Sequence, residues 1–140
     1  MQSRWNDDEA ARFMAARQGV PEALAMRTYS ARLLGADGAL VLHGGGNTSA
    51  KGQAKTLLGE TVSVLFIKGS GWDLATIEPP GHPAVRLEPL RALRSLDRMS
   101  DEEMVNALRL ALLDASGPTP SIETLLHAYL PARLDRKSVV

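Results

Sequence analysis

The sequence TVSVLFIK, at residues 61–68, settles which class of fold this chain can form. Its residues are mostly apolar or β-branched and turn signals bound it, a pattern that predicts a β-strand. The preceding residues 48–55 are small and polar, and residues 57–60 form a candidate turn between the two segments. The two segments are therefore expected to pair as a hairpin.

Helical patterns precede this hairpin. Asn6 is expected to cap a first helix, which begins with three acidic residues and stops at Gly19. Pro21 opens a second helix, whose apolar residues recur near helical spacing until Gly35 ends the pattern. The chain therefore enters the hairpin from two consecutive helices.

Further helices are expected after the hairpin. Residues 78–85, EPPGHPAV, are predicted to be loop because their prolines lack backbone donors, and residues 87–96 are predicted to form a short helix. Ser100 and Glu103 have the spacing of a capping box, and IETLLHAYL at residues 122–130 begins a last helix. The order of helices, strands and helices predicts an α+β or layered α/β domain.

Composition narrows the class of protein. A chain of 140 residues suits one domain, and its 16 basic residues balance its 16 acidic residues. The balanced charge therefore does not indicate binding to nucleic acid or to an anionic membrane. There is no cysteine, which excludes disulfides and thiolate metal sites. The apolar stretches are far shorter than the roughly 20 residues of a membrane helix, and the acidic start lacks a signal core, so a cytoplasmic protein is expected.

Two glycine-rich loops flank the predicted hairpin: VLHGGGNTSAKG at residues 41–52 and IKGSG at residues 67–71. Glycines accept positive φ angles at little cost, so simple turns would explain both loops. The loops also hold backbone amides, an asparagine amide and hydroxyls that can surround a phosphate or a polyol. Neither loop matches a P-loop or a dinucleotide fingerprint. Because a hairpin brings its flanks together, the pair favours a shared anion site.

A third candidate is TPSIETLLH, at residues 119–127. Ser121 suits a helix N-cap, and Glu123 would then lie in the first turn, where the helix dipole stabilises a carboxylate by up to about 1 kcal/mol. Glu123 and His127 are also four residues apart, a spacing that serves metal or acid–base chemistry. The residues alone leave both roles open. The histidines of the chain lack the H-x-H or H-x-x-x-H spacing of a metal site.

Taken together, four segments resemble the class II aldolase/adducin family: residues 41–52, 65–81, 96–114 and 120–131. More narrowly, they resemble the aldolase half of bifunctional aldolase/short-chain dehydrogenases of the rhamnulose-1-phosphate aldolase/lactaldehyde dehydrogenase type. The resemblance implies a three-layer α/β/α sandwich around a mainly antiparallel sheet, incomplete at its C-terminus. It also implies that residues 1–134 are the N-terminal part of such a domain, usually assembled as a homo-oligomer.

The resemblance assigns roles to individual residues. It assigns the binding of the substrate phosphate to two loops and to the serine before the catalytic acid. The corresponding residues of this sequence are Gly46, Asn47, Ser70, Gly71 and Ser121. It makes Glu123 the acid/base that moves a proton at the carbon where the bond is made or broken. Lys68 replaces a threonine of the simpler aldolases, fits the bifunctional subgroup and would add charge to the site. Ile122 departs from a second serine, which puts one phosphate donor in doubt.

The resemblance also implies a divalent metal, generally zinc, that polarises the ketose phosphate and stabilises the enediolate. In the family an H-x-H pair and a later histidine hold this metal, and both lie beyond the catalytic glutamate. This sequence reaches Val140 with neither, so none of its residues is assigned to the metal. Residues 135–140, DRKSVV, can be encoded by GAT CGG AAG AGC GTC GTG, a string that matches a common sequencing adapter. We interpret them as a non-native tail.

The resulting prediction is a fragment of a sugar-phosphate aldolase. The complete enzyme would cleave a ketose 1-phosphate, rhamnulose 1-phosphate, to dihydroxyacetone phosphate and lactaldehyde, with a dehydrogenase domain following in the full gene. This chain alone is expected to be inactive, because the metal histidines are missing. Two alternatives remain open: a non-catalytic adducin-like binding or assembly module, and an epimerase or decarboxylase of the same superfamily.

Overall fold

The computed structural model describes residues 2–137. Its centre is a four-stranded antiparallel sheet in the order β3-β2-β1-β4. The strands are β1 (Asn47–Lys55), β2 (Thr61–Ile67), β3 (Ala84–Arg86) and β4 (Leu134–Lys137). Strands β1 and β2 form the predicted hairpin, with Lys55 opposite Thr61 at the turn and Ser49 opposite Ile67 at the other end. The glycine-rich loops therefore lie at the same end of the hairpin.

Two strands lie where the sequence did not predict them. The prediction of a loop over residues 78–85 is wrong for the last two residues. Ala84 and Val85 belong to β3 and pair with Phe66 and Leu65. The prolines remove donors only up to Pro83, so the residues that follow can join the ladder. Strand β4 includes residues 135–137 of the predicted tail. The non-native origin of residues 135–140 stays a prediction, and residues 138–140 lie outside the described part of the chain.

Five α-helices surround the sheet in the described part of the chain: α1 (Asp7–Ala15), α2 (Glu22–Gly35), α3 (Leu87–Ala92), α4 (Asp101–Leu110) and α5 (Thr124–Tyr129). The predicted N-cap of α1 is confirmed, since Asn6 Oδ1 accepts from the Glu9 amide at 3.0 Å. The capping box of α4 is confirmed as well. The Glu103 amide donates to Ser100 Oγ at 3.1 Å, and the Ser100 amide donates to Glu103 Oε2 at 2.8 Å.

The side chains of β2 show how the layers are arranged. Leu65 and Ile67 are buried in a cluster that includes Leu90 of α3, Leu108 of α4 and Ala128 of α5. Val64 and Phe66 point to the opposite face, in a cluster with Leu24 of α2. Because adjacent strand residues point to opposite faces, the sheet has helices on both sides. The predicted three-layer α/β/α sandwich is confirmed.

Candidate functional site

Backbone hydrogen bonds join the three segments that carry the predicted site residues. The Lys68 amide donates to Thr48 O at 3.1 Å, which ties the end of β2 to the start of β1. The Ser121 amide donates to Lys68 O at 3.2 Å, and the Ser70 amide donates to Thr119 O at 2.9 Å. The two glycine-rich loops and the segment before α5 therefore form one cluster.

Asn47 is the side chain that connects these segments most directly. It is 2% exposed, and its Nδ2 donates to Ser121 Oγ at 2.6 Å and to Glu123 Oε2 at 3.2 Å. These contacts bring together three of the residues to which the resemblance assigns a role. The predicted N-cap role of Ser121 is wrong: α5 begins after Glu123, and the Ser121 hydroxyl accepts from Asn47.

The backbone of the glycine loop turns through three residues with positive φ. Gly44 and Gly46 have φ angles of 72° and 75°, and His43 before them has a φ of 45°. The Gly45 amide donates to Leu42 O at 2.9 Å, whereas the amides of Gly44 and Gly46 donate to no acceptor among the loop hydrogen bonds of residues 2–137. Successive amides in such conformations can converge on an anion.

The second loop contributes hydroxyl and charged groups. Ser70 and Gly71 are exposed, and Gly71 has a φ of 83°. Because the Ser70 amide is bonded to Thr119, the Ser70 hydroxyl is the group that remains available to a ligand. The Lys68 side chain is buried, and its Nζ donates to Gly44 O at 3.3 Å. Burial lowers the Lys68 pKa, although the charges of Glu123 and Asp73 partly oppose this shift.

Glu123 lies partly buried beside Asn47. Burial alone would raise its pKa, but hydrogen bonds from its own backbone amide and from Asn47, together with Lys137 at 3.5 Å, lower the pKa below its usual value. The carboxylate is therefore ionised at neutral pH, which is the state that a proton acceptor requires.

The His127 ring makes no hydrogen bond with the Glu123 carboxylate within residues 2–137. The two residues are one helical turn apart, and the His127 amide donates to Glu123 O at 3.2 Å. The His127 ring instead lies with Nδ1 at 2.9 Å from Ser49 Oγ and 3.0 Å from Asp135 Oδ2. Burial lowers the His127 pKa, against the attraction of Asp135 and Glu123.

His82 contacts the start of β1 on the face of the sheet that α2 covers. The sequence did not reveal this contact. Its Nε2 lies 2.8 Å from Thr48 Oγ1, and its Nδ1 lies 3.4 Å from Thr28 Oγ1. The Thr28 hydroxyl already donates to Leu24 O at 2.8 Å, so it accepts from Nδ1–H. Nε2 of His82 is then the acceptor for the Thr48 hydroxyl. Burial, with the charges of Arg27 and Lys68, lowers the His82 pKa to about 3, so the ring is neutral.

Arg27 is a buried charged residue that sequence analysis missed. It is 6% exposed, on α2, and Nε and Nη2 of its guanidinium have no hydrogen-bond partner within residues 2–137. A signal for it was available: Arg27 lies three residues after Leu24 and four before Ala31, inside the apolar stripe of the helix. A charged residue in such a stripe is rarely buried without a reason.

The residues present do not fit the metal that the resemblance implies. Within residues 2–137, no group of three or more histidine, aspartate or glutamate side chains is placed to hold a metal ion. The His127 ring faces Asp135 and Ser49 through Nδ1, and its Nε2 is buried without a partner within residues 2–137, but this ring and the nearby carboxylates do not form such a group. We therefore derive no chemical step through a metal on this chain.

A separate cleft of about 700 Å³ contains none of the predicted site residues. Leu24, Phe66, His82 and Leu113 are among the residues of its mostly apolar wall. Arg17 also borders it but is paired with Glu78 at 2.9 Å. The polar groups of the loop cluster lie outside this cleft. In the part of the chain that the structure describes, no helix has the length and apolar character to cross a membrane.

Comparison with known proteins adds independent information. An N-terminal class II aldolase domain of a conserved protein from Thermoplasma acidophilum superposes with a TM-score of 0.84 and 37% sequence identity. The match covers 99% of this chain and 60% of that one. The chain has the fold of a class II aldolase domain. This fold agrees with the α/β/α sandwich and with the antiparallel sheet described above.

A protein of Bacillus subtilis is also similar to this chain in sequence. The uncharacterized oxidoreductase YuxG of Bacillus subtilis (strain 168) is 39% identical over 127 residues, which are 91% of this chain. The chain spans 17% of the length of that protein. No family model matches the sequence.

Proposed function

We propose that this chain is the phosphate-binding and acid/base part of a metal-dependent sugar-phosphate aldolase of the class II family. The observation that carries the proposal is the Asn47 amide, which bonds Ser121 at 2.6 Å and Glu123 at 3.2 Å. One buried side chain thereby joins the glycine loop, a candidate phosphate donor and the candidate acid/base. The fold shared with a class II aldolase domain supports the same interpretation.

Each group has a distinct task in the proposed reaction. The amides of the glycine loop and the hydroxyls of Ser70 and Ser121 bind the phosphate of a ketose 1-phosphate, and Lys68 adds positive charge. Glu123, ionised at neutral pH, accepts or returns the proton at the carbon where the bond is made or broken. The metal expected in the complete enzyme would be held by histidines that lie outside the described chain.

The proposed substrate is a deoxyketose 1-phosphate, rhamnulose 1-phosphate, cleaved to dihydroxyacetone phosphate and lactaldehyde. The oxidoreductase name of the Bacillus subtilis relative, of which this chain covers 17%, supports a dehydrogenase domain following in the full gene. A dehydrogenase of that kind would oxidise the lactaldehyde. We also propose that the complete protein is a homo-oligomer.

The experiment compares the 140-residue protein with the product of the complete reading frame, both assayed with zinc. The complete protein should release dihydroxyacetone phosphate from rhamnulose 1-phosphate, and Glu123→Gln should reduce this rate at least 100-fold. The 140-residue protein should bind dihydroxyacetone phosphate in calorimetry without cleaving the substrate. Exposed Glu102 provides the matched control variant, Glu102→Gln. Failure of the complete protein to cleave any ketose 1-phosphate would reject the proposed function.

A further inference from the structure

Strand β1 presents three polar side chains to α5. Asn47, Ser49 and Lys51 are alternate residues of the strand, so their side chains share one face of the sheet. The residues between them take the opposite face: the Thr48 hydroxyl lies 2.8 Å from Nε2 of His82, on the side that α2 covers. Buried strand faces are usually apolar, so packing of the core does not explain three successive polar residues.

The first two of these side chains bond to the start and the middle of α5. Asn47 Nδ2 donates to Ser121 Oγ and to Glu123 Oε2, both directly before the helix. Ser49 Oγ lies 2.9 Å from Nδ1 of His127, within the helix. The contacts therefore follow the same order along the strand and along the helix.

Lys51 holds the C-terminal end of the same helix. Its Nζ donates to the carbonyl oxygens of His127 at 3.0 Å and Leu130 at 2.8 Å, and also to that of Ala132. Three acceptors match the three N–H donors of an ammonium group. The last carbonyls of a helix lack partners within it, and a cation beside them interacts favourably with the helix dipole. The Lys51 side chain therefore caps α5.

Apolar packing of α5 is limited. The helix is six residues long, and isolated helices shorter than about 12 residues are marginal in water. Ala128 is fully buried and Leu125 and Tyr129 are partly buried against the core, whereas Leu126 is 53% exposed. Arg91 of α3 adds a longer bond, from its Nε to Ala128 O at 3.4 Å. The hydrogen bonds from β1 are therefore important for the position of the helix.

The opposite end of α5 carries the candidate acid/base. Glu123 directly precedes the helix, and its carboxylate accepts from Asn47 Nδ2 at 3.2 Å. Leu130 follows the last helical residue, about 10 Å further along the helix axis. A helix this short moves as one body, so a displacement at Leu130 also displaces Glu123. Misplacement of a reacting group by about 1 Å can lower a rate about 100-fold.

We propose that Lys51 is a positioning residue for Glu123. By holding the C-terminal end of α5 against β1, its ammonium group keeps the Glu123 carboxylate at the Asn47 amide. The inference rests on the proposed function, which gives Glu123 its acid/base task. Ser49 supports the same placement through His127, in the middle of the helix.

The variant Lys51→Met removes the three donors and keeps most of the side-chain length. In the 140-residue protein it should raise the Glu123 pKa above the wild-type value, because the carboxylate loses its hydrogen bond from Asn47 for part of the time. A carbon-13 NMR titration of the carboxyl group measures this change. Lys51→Arg keeps the charge and several donors, so it should partly restore the wild-type pKa. Lys55→Met, the same change at an exposed position of the same strand, should leave the Glu123 pKa unchanged.

Salt separates the effect of position from the effect of charge. Lys51→Met also removes a positive charge, and this loss alone would raise the pKa of a carboxylate. A long-range charge effect should disappear at about 1 M salt, where the Debye length is about 3 Å, whereas a displaced carboxylate keeps its raised pKa. A Glu123 pKa that equals the wild-type value in high salt would overturn the proposal.

Hydrogen exchange of the unmodified protein covers the case in which Lys51→Met fails to fold. The Leu130 amide bonds to Leu126 O inside the helix. If α5 is held as one body, this amide, the Lys51 ammonium group and the side-chain amide of Asn47 should exchange through one opening, with protection factors within about tenfold of each other. Protection of the Asn47 amide about 100-fold lower than that of Leu130 would overturn the proposal, because the Glu123 end would then open independently.

The complete protein, assayed with zinc, separates this inference from the proposed function. Lys51→Met should lower kcat for rhamnulose 1-phosphate at least about 10-fold and change KM less, because the phosphate loops remain in place. An unchanged kcat in folded Lys51→Met would reject the role of Lys51, while the cleavage itself would support the proposed function. A complete protein that cleaves no ketose 1-phosphate would reject the proposed function, and the Glu123 pKa in Lys51→Met would still decide whether Lys51 positions the carboxylate.

Discussion

The side chain of Asn47 donates to the hydroxyl of Ser121 across 2.6 Å and so joins residues 74 positions apart in the chain. The same Nδ2 also reaches Glu123 at 3.2 Å. Since Asn47 directly follows the glycine loop, the position of the carboxylate and the conformation of that loop depend on one amide. A change at Asn47 should therefore alter both the acid/base group and the anion site.

The substitution Asn47→Ala should raise the pKa of Glu123 relative to the wild type. The Asn47 amide stabilises the ionised carboxylate, and its loss leaves burial, which favours the neutral form, less opposed. A carbon-13 NMR titration of the Glu123 carboxyl group measures this change directly. The loss of a buried hydrogen-bonding group should also destabilise the fold by about 1–3 kcal/mol in urea unfolding.

Asn106 provides the control for this prediction, because it is exposed on α4. Asn106→Ala should leave the Glu123 titration unchanged and should not lower the unfolding midpoint, because alanine favours the helix more than asparagine does. If the Glu123 pKa is the same in Asn47→Ala and in the wild type, the hydrogen bond does not set the charge state of the carboxylate.

Gly46→Ala should destabilise the protein and disturb the loop. Gly46 has a φ of 75°, and an added Cβ would lie 3.0 Å from Leu74 Cδ1 and 3.1 Å from Val41 Cγ2. Backbone strain and crowding together should cost about 1–3 kcal/mol, measured by urea unfolding. Gly38→Ala is the matched control, because a Cβ there meets nothing within 4 Å. Equal stability of the two variants would show that the loop tolerates a side chain at position 46.

Local sequence patterns predicted most elements of the fold because their causes are local. The apolar and β-branched residues that predicted β2 are visible in residues 61–67. The caps at Asn6 and Ser100 need only the next three residues. The short strand β3 escaped prediction, because three residues after a proline loop carry too little periodicity to be recognised.

The sequence was less informative about the interior of the candidate site. The assigned residues Asn47, Ser121 and Glu123 do meet, but that assignment came from family resemblance, not from spacing. The burial of Arg27 and His82 depends on how α2 packs over β1, which no local pattern reports. The spacing of Glu123 and His127 suggested an interacting pair, whereas the imidazole of His127 contacts Ser49 instead.

The stability of the protein should fall as the pH is lowered from 7 to 5. The His82 pKa is lowered from 6.5 to about 3, so in this range the unfolded chain binds a proton that the folded protein does not. Stability is therefore lost as the pH falls below the unfolded value, by on the order of 2 kcal/mol between pH 7 and pH 5. The lowered pKa of His127 acts in the same direction.

Urea unfolding at pH 7 and pH 5 measures this loss. His82→Gln keeps polar groups near Thr48 and Thr28 but cannot take up the proton, so its stability should change less between the two pH values. His43→Gln, at an exposed position, is the control and should retain the wild-type dependence. An equal pH dependence in His82→Gln and the wild type would show that His82 is not the source.

The substitution Glu123→Gln should strengthen the binding of inorganic phosphate by the 140-residue protein several-fold. The carboxylate is ionised and lies beside Asn47, so its charge repels an anion at the adjacent loop, and the amide removes that repulsion with little change in shape. Calorimetry at low and high salt checks the cause, because the gain should shrink as salt screens the charge. Glu102→Gln, exposed on α4, should leave the affinity unchanged. Unchanged or weaker phosphate binding in Glu123→Gln would place the anion away from this carboxylate.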